Sequence, residues 1–467
     1  MLRREVALNG TGLVLPRKIR PEYQCAIVAA ACLAVCAVWP SSAELSAVIA
    51  FAAFGALLLH YKLQGLTNLA FVFLGITLII ILSDSIWWNV LLGMANLPSG
   101  EDNNSINWAI QYIAMAIDAM VLGACFVTWR RRDIRKPHSA LCKQVQCPWI
   151  YLTAAFAPLL LNLILYYFSL RGLGYVEIHI ASQGPQKYIL FLVLLTHAAF
   201  IRLFAGWPYL ERKSRLALAA AVCLFLYIYI FLLPLRTNLF IFGMYAFYFF
   251  SGGIRWRLKV AILAGGFVLF SWMAVHRSAT GDDLREMGSA QITVSVLSFG
   301  TGMVDMVPWA YDEVQREGRA WGTTYMLEAV STKYSPGVRY AQEIAPAYAE
   351  SGGGFGFFYV AELLLNFGYI GGLLGAYMLG MALQKLSTMP AVVVRSTVLP
   401  ALLAFFFPLI RNDFTSTLKG AIYIIISCFI LDRLALYSHE FGGLIKLAKL
   451  SAATKQQLQF HQGPNPL

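Results

Sequence analysis

Residues 351–380, SGGGFGFFYVAELLLNFGYIGGLLGAYMLG, pass from a glycine-rich loop into an apolar run long enough to cross a bilayer as a helix. One acid, Glu362, lies about two turns inside that run, roughly 10 Å along the axis at 1.5 Å per residue. At about 100° per residue, Phe355, Tyr359, Glu362, Asn366 and Tyr369 share one face of the expected helix, while Gly368, Gly371 and Gly375 fall on the opposite face. The first face is polar and aromatic, and the second lets a neighbouring helix approach closely. An ionisable group at that depth costs several kcal/mol if left unpaired. Glu362 is therefore a candidate functional residue, the alternative being a structural partner of an arginine.

The rest of the chain has the composition that this stretch implies. Its 467 residues are 59% hydrophobic and 13% charged, against about 25% charged in soluble domains, which indicates an all-α polytopic membrane protein. The net charge of +12 is gathered in short loops between apolar runs, a signature of membrane topology and not of nucleic-acid binding. About twelve spans can be drawn: 24–40, 44–60, 66–82, 107–128, 149–170, 188–206, 216–233, 238–251, 258–275, 356–384, 396–410 and 419–436. The semi-apolar piece 86–97 is too short to span and is expected to be re-entrant or interfacial. The basic lead and first apolar run partly resemble a signal peptide, with SSA at 41–43 as a mimic of a cleavage site. A retained first span agrees better with the orientation of those that follow.

With the N-terminus inside, 25 of the 36 Lys and Arg fall on the cytoplasmic side, among them the run RRRDIRK at 130–136, and 11 fall outside. Both termini are then cytoplasmic, as expected for a multi-pass protein of a bacterial inner membrane. The chain divides into a membrane domain at 1–275, a large external loop at 276–355, three further spans within 356–436 and a basic tail at 437–467. The loop contains an apolar helical stretch at 292–310, and the tail segment 444–458 is expected to lie on the inner membrane surface. No internal repeat relates two halves, which disfavours a repeat-built transporter.

The eight cysteines fall in expected spans or cytoplasmic loops, so no disulfide framework is implied. His138, Cys142 and Cys147 lack the second ligand pair that a structural zinc site needs. No GxSxG elbow, Walker loop or HExxH motif is present, and neither a metal nor a cofactor is expected. Arginines kept outside against the positive-inside rule carry more information. Arg236 in LLPLRTN, Arg277 after His276, Arg339 in KYSPGVRY and Arg411 in FPLIRNDF all fall at or near the external boundary. Arginine holds phosphate bidentately and stays charged, so these residues suit an anionic, lipid-linked substrate. Local pairing, such as Arg411 with Asp413 or Arg339 with Glu343, is the structural alternative.

The run GTTYMLEAVSTKYSPGVRY, the loop SGGGFGFF and the segment AELLLNFGYIGGLLGAYMLG together resemble oligosaccharide repeat-unit polymerases of the Wzy type. The matching positions are Gly322, Tyr325, Pro336, Glu362, Asn366, Phe367, Gly368 and Gly371, with Met326 where the family usually has Leu. The resemblance implies a GT-C-like membrane core and a metal-independent glycosyl transfer on the periplasmic face. It also implies that the growing glycan passes from undecaprenyl diphosphate to the non-reducing end of a new undecaprenyl-diphosphate-linked unit. Membrane lipid and a chain-length regulator are the further partners it suggests. Within the matched stretch it points to Arg339. Arg236, Arg277, His276 and Arg411 rest on position alone, and Glu362, Asn366 and Tyr359 are read as base or orienting group, positioning amide and sugar-stacking ring. An O-antigen ligase delivering glycan to lipid A core, a lipid-linked oligosaccharide flippase using Asp118, and a non-catalytic assembly subunit are the competing readings.

Overall fold

The computed structural model describes residues 27–34, 70, 73–75, 77, 103–130, 147–171, 187–233, 236–251, 303–331, 334–344, 346, 356–389, 391–411 and 414–461, with scattered positions between 254 and 266. Regular structure among the described residues is helical throughout. The helices are α1 (Asn103–Arg130), α2 (Pro148–Leu165), α3 (Val193–Ala205), α4 (Arg212–Tyr227), α5 (Arg236–Phe250), α6 (Met306–Glu317), α7 (Thr323–Val330), α8 (Pro336–Ile344), α9 (Tyr359–Ser387), α10 (Leu399–Arg411) and α11 (Phe414–His461). Single π turns, Tyr166–Leu170, Ile228–Leu232 and Val394–Val398, extend α2 and α4 and lead into α10.

Among the described residues, six helical stretches are long and apolar enough to cross a membrane: Ser105–Val127, Pro148–Leu170, Tyr188–Ala205, Arg212–Leu232, Tyr359–Ser387 and Thr417–Ser438. Two shorter apolar helices, Thr237–Phe250 and Val394–Phe406, accompany them. These eight coincide with expected spans, the boundaries moving by a few residues. Residues 27–34 and the described positions between 70 and 77 are helical where two more spans are expected. Segments 44–60 and 86–97 lie outside the described residues, as does most of 258–275.

Among the described residues, two apolar clusters make up the interior. One gathers α1, α6 and α9 with Phe73 and Leu74, and the other gathers α2, α3, α4, α5 and α11. Helix α10 contributes Leu403 and Phe406 to the first and Ala401 and Ala404 to the second, so it stands between them. Lipid tails are as apolar as leucine, so helices in a bilayer associate through close packing and buried polar bonds. Both devices are present. A Cβ on Gly123 of α1 would sit 2.1 Å from the Tyr377 carbonyl oxygen, and one on Gly380 of α9 would sit 2.2 Å from that of Met120. In the second cluster, Arg202 of α3 forms a two-point ion pair with Asp432 of α11. Its remaining nitrogen donates to Thr397 Oγ1 at 3.0 Å, and Tyr151 of α2 donates to Asp432 at 2.8 Å.

Two sequence expectations change. First, α9 is not one continuous rod: Gly368, with φ +71° and ψ −175°, breaks it. In an unbroken helix Leu364 and Gly372 stand about 12 Å apart. Here a Cβ on Gly372 would lie 3.3 Å from the Leu364 backbone, and one on Gly375 would lie 2.9 Å from Leu363 Cδ2. The two arms, 359–367 and 369–387, therefore fold back on each other, and Gly371 and Gly375 serve the hairpin itself, with Gly372 and Gly380 facing α1. Second, the tail segment 444–458 is not a separate element but the end of α11, which runs from Phe414 to His461. The expected loop stretch 292–310 falls mostly outside the described residues, and the described part of the loop holds α6, α7 and α8.

Candidate functional site

The site is built where the hairpin turns. A helix that stops leaves its last carbonyls without partners, and in a membrane protein they must be satisfied within the protein. The carbonyl of Leu365 accepts from Ala320 N at 3.2 Å and that of Asn366 from Trp321 N at 2.9 Å. The segment 318–322 is thus laid across the end of the first arm as a backbone cap. It holds three positive φ values, Gly318 (+85°), Trp321 (+51°) and Gly322 (+85°). Trp321 is no glycine, and a side-chain-bearing residue stays in that region only when its surroundings over-determine it.

Asn366 supplies that determination. Its Oδ1 accepts from Gly322 N at 2.9 Å and from Thr324 Oγ1 at 3.0 Å. Its Nδ2 donates to the Glu362 carbonyl at 2.9 Å and lies 2.6 Å from Thr324 Oγ1. One buried amide therefore ties the loop, the first turn of α7 and the first arm together.

Glu362 is fully buried one turn earlier on the same arm. Tyr325, on the first turn of α7, faces this acid and Asn366. Burial raises the Tyr325 phenol pKa well above its ordinary value, the Glu362 charge raises it further, and the hydrogen bond with Asn366 works against the rise. The phenol stays protonated at neutral pH, a fixed donor beside a carboxyl. α7 is in turn anchored to α11: buried Glu328 accepts from Thr415 N at 3.2 Å through its carboxylate and from Lys419 Nζ at 2.8 Å through its carbonyl.

The remaining sequence candidates divide. Tyr359 is enclosed, its ring edge-on to Phe73 and Phe358 and its hydroxyl 3.4 Å from Thr77 Oγ1, so no open ring face meets solvent. Arg339 forms ion pairs with Glu313 and, at 2.9 Å, with Glu317. Arg316 shares Glu313 and reaches Glu343 at 3.7 Å, which also accepts from Trp309 Nε1. Arg236 is the first residue of α5 and Arg411 the last of α10. These two helices pack together with Tyr248 hydrogen-bonded to the Arg395 carbonyl near their other ends. The two arginines thus mark one end of an antiparallel pair, their side chains lying outside the described residues. His276 and Arg277 also lie outside the described residues. Asp118 is buried in mid-α1, with neither oxygen hydrogen-bonded among the described residues.

Residues not singled out for a role beforehand are Arg319, Trp321, Thr324 and Glu328. The available signal was GRAWG at 318–322, two glycines bracketing an aromatic, which marks a tight turn. Residues 318–438 match the family model for O-antigen polysaccharide polymerase Wzy. The match begins at the capping loop and takes in α7, α8, α9, α10 and the apolar half of α11. No curated protein matches the chain, and no solved structure does.

Proposed function

We propose that this chain is a membrane-embedded glycosyltransferase that polymerises lipid-linked oligosaccharide units on the periplasmic face of a bacterial inner membrane. One observation carries the reading: the region matched to Wzy polymerases contains both partners of the Asn366 junction, the capping loop and the broken helix. The donor in this reading is a growing glycan on undecaprenyl diphosphate, and the acceptor is the non-reducing end of a new undecaprenyl-diphosphate-linked unit. The acceptor hydroxyl oxygen attacks the anomeric carbon of the donor, whose bond to the diphosphate oxygen breaks. Undecaprenyl diphosphate leaves with the bonding pair, and the hydroxyl proton passes to Glu362.

Several features support this assignment. Glu362 is a buried carboxyl beside the neutral Tyr325 phenol, a placement that suits proton transfer from the acceptor hydroxyl. Asn366 acts by positioning, since its hydrogen bonds already go to Gly322, Thr324 and the Glu362 carbonyl. Arg236 and Arg411 sit at one end of the α5–α10 pair, suited to a diphosphate at the membrane boundary. Arg277 and His276, outside the described residues, join this proposal by their position in the sequence alone. Arg339 is held by Glu313 and Glu317 and stays outside the proposed basic face.

The test is lengthening of defined lipid-linked repeats by the purified protein. Wild type is expected to give a ladder of longer glycans, and Glu362→Gln to slow it by about 100-fold or more, the order of a lost general base. A Glu362→Gln protein that polymerises at the wild-type rate sinks the base assignment, and a wild-type protein that makes no ladder sinks the polymerase reading.

A further inference from the structure

The described arginines near the hairpin tip are not equivalent. Arg316 and Arg339 share three carboxylates, Glu313, Glu317 and Glu343, so two positive charges face three negative ones. A diphosphate approaching that cluster meets a net negative field. Arg319 differs. Among the described residues it makes no ion pair, and its guanidinium carbon lies 5.4 Å from the centre of the Trp321 ring. Its side chain lies over the break in α9, where a Cβ on Gly368 would stand 2.7 Å from Arg319 Nε. Only a glycine leaves room for it there. The aromatic ring and the notch fix the guanidinium without using its hydrogen-bond donors on another charge.

The surroundings of Arg319 match one class of ligand. Trp321, Met326 and Val330 are 70%, 75% and 83% exposed, an uncovered apolar strip leading away from the arginine along α7. α7 is tied through Glu328 to the first turns of α11, a helix long and apolar enough to cross a membrane, so the strip lies near the end of that helix on the face of α7 turned away from the contact. A phosphate joined to a long apolar chain has both halves of that arrangement.

We infer that Arg319 is a phosphate-binding residue for the lipid-linked substrate, with the isoprenoid chain lying along Trp321, Met326 and Val330. The assignment rests on the polymerase reading for the identity of the substrate and, for the choice of residue, on Arg319 having no acid partner among the described residues.

Binding of geranylgeranyl diphosphate to the full chain in detergent tests it, with geranylgeraniol, inorganic pyrophosphate and phosphatidylglycerol as comparison ligands. Arg319→Ala is expected to weaken geranylgeranyl diphosphate about 10- to 100-fold, the range for a lost charge-assisted hydrogen bond, with Arg319→Lys between it and wild type. Arg339→Ala is expected to change binding by less than about threefold, since its guanidinium is already paired. Weaker pyrophosphate binding in Arg319→Ala supports the assignment too, because it shows the residue reading phosphate directly. Unchanged diphosphate binding in Arg319→Ala overturns it, and so does an equal loss in Arg339→Ala. Geranylgeraniol or phosphatidylglycerol competing as well as the diphosphate also overturns it, because the site would then read only a chain or any anionic lipid. Arg319 is exposed, so the variants keep the wild-type fold, checked by elution volume and helical circular dichroism. A protein that binds through Arg319 but builds no glycan ladder removes the polymerase reading and leaves this one standing. A ladder with Arg319-independent binding does the reverse.

Discussion

At the scale of single residues, Asn366 holds the site together. Four polar contacts converge on one amide, and they join segments more than forty positions apart in sequence. Asn366→Ala leaves Gly322 N and Thr324 without their acceptor, and each such bond contributes about 1 kcal/mol net. Amide exchange at Ala320, Trp321 and Gly322 is expected to speed by about tenfold or more, with Asn366→Asp between it and wild type because the acceptor oxygen is kept. Unaltered exchange in Asn366→Ala shows that the loop is held by something else. A second expectation concerns pH. Arg339 lowers the Glu317 pKa, first by a hydrogen bond and then by its charge. A carboxylate with a depressed folded pKa contributes its stabilisation fully above its ordinary value of 4.5 and loses it as the pH falls through the lowered value. Exchange protection of α8 is therefore expected to hold from pH 8 to 5 and to weaken only below 4.5. A loss centred near pH 6.5 rules out Glu317 as the cause.

At the scale of elements, the hairpin of α9 depends on glycines placed for different purposes. Gly368 has a backbone conformation essentially reserved for glycine, so Gly368→Ala is expected to cost about 1–3 kcal/mol, more if Arg319 cannot shift. Gly380 meets the backbone of α1, which has no rotamer to yield, and Gly380→Val is expected to cost at least about 1–3 kcal/mol by forcing the helices apart. Gly243 in α5 has nothing within 4 Å of a Cβ, so Gly243→Ala is expected to stabilise by about 0.5–1 kcal/mol through helix propensity. Thermal unfolding in one detergent ranks the three. Gly380→Val melting at or above Gly243→Ala contradicts the close crossing of α1 and α9.

At the scale of the whole molecule, two apolar clusters share α10, and the second is fastened by Arg202 and Asp432. The ion pair draws in α2 through Tyr151 and the start of the α10 segment through Thr397, so four membrane elements meet at one charge pair. Removing one partner leaves an uncompensated buried charge. Arg202→Leu or Asp432→Leu alone is expected to destabilise by about 3–5 kcal/mol, while the double variant is expected to recover most of that loss. Double-mutant analysis of melting in detergent reads the coupling. Additive losses mean that the two residues stabilise the bundle independently.

The residue pattern alone determined the class of the molecule and the order of its apolar helices. Eight of the expected spans fall on described helices because burial in a bilayer demands long apolar runs, and such runs are visible one residue at a time. Glu362 and Asn366 stood out for the same local reason, as polar groups inside an apolar run. Helical periodicity also put both on one face, correctly as far as Gly368, and failed beyond it for Tyr369. A glycine in an apolar run reads equally as a packing notch or as a break, and only the loop that accepts the freed carbonyls decides between them. The partners of Arg339, and the lack of an acid partner for Arg319 among the described residues, were likewise undecidable from spacing. Both lie within about twenty positions of each other, and which of them is neutralised depends on where α6 brings Glu313 and Glu317. Arg202 and Asp432 are separated by 230 positions, and only packing reveals that they form a pair. Local chemistry is written in the order of residues, whereas the balance of charge at a site is a sum over neighbours that only the tertiary structure supplies.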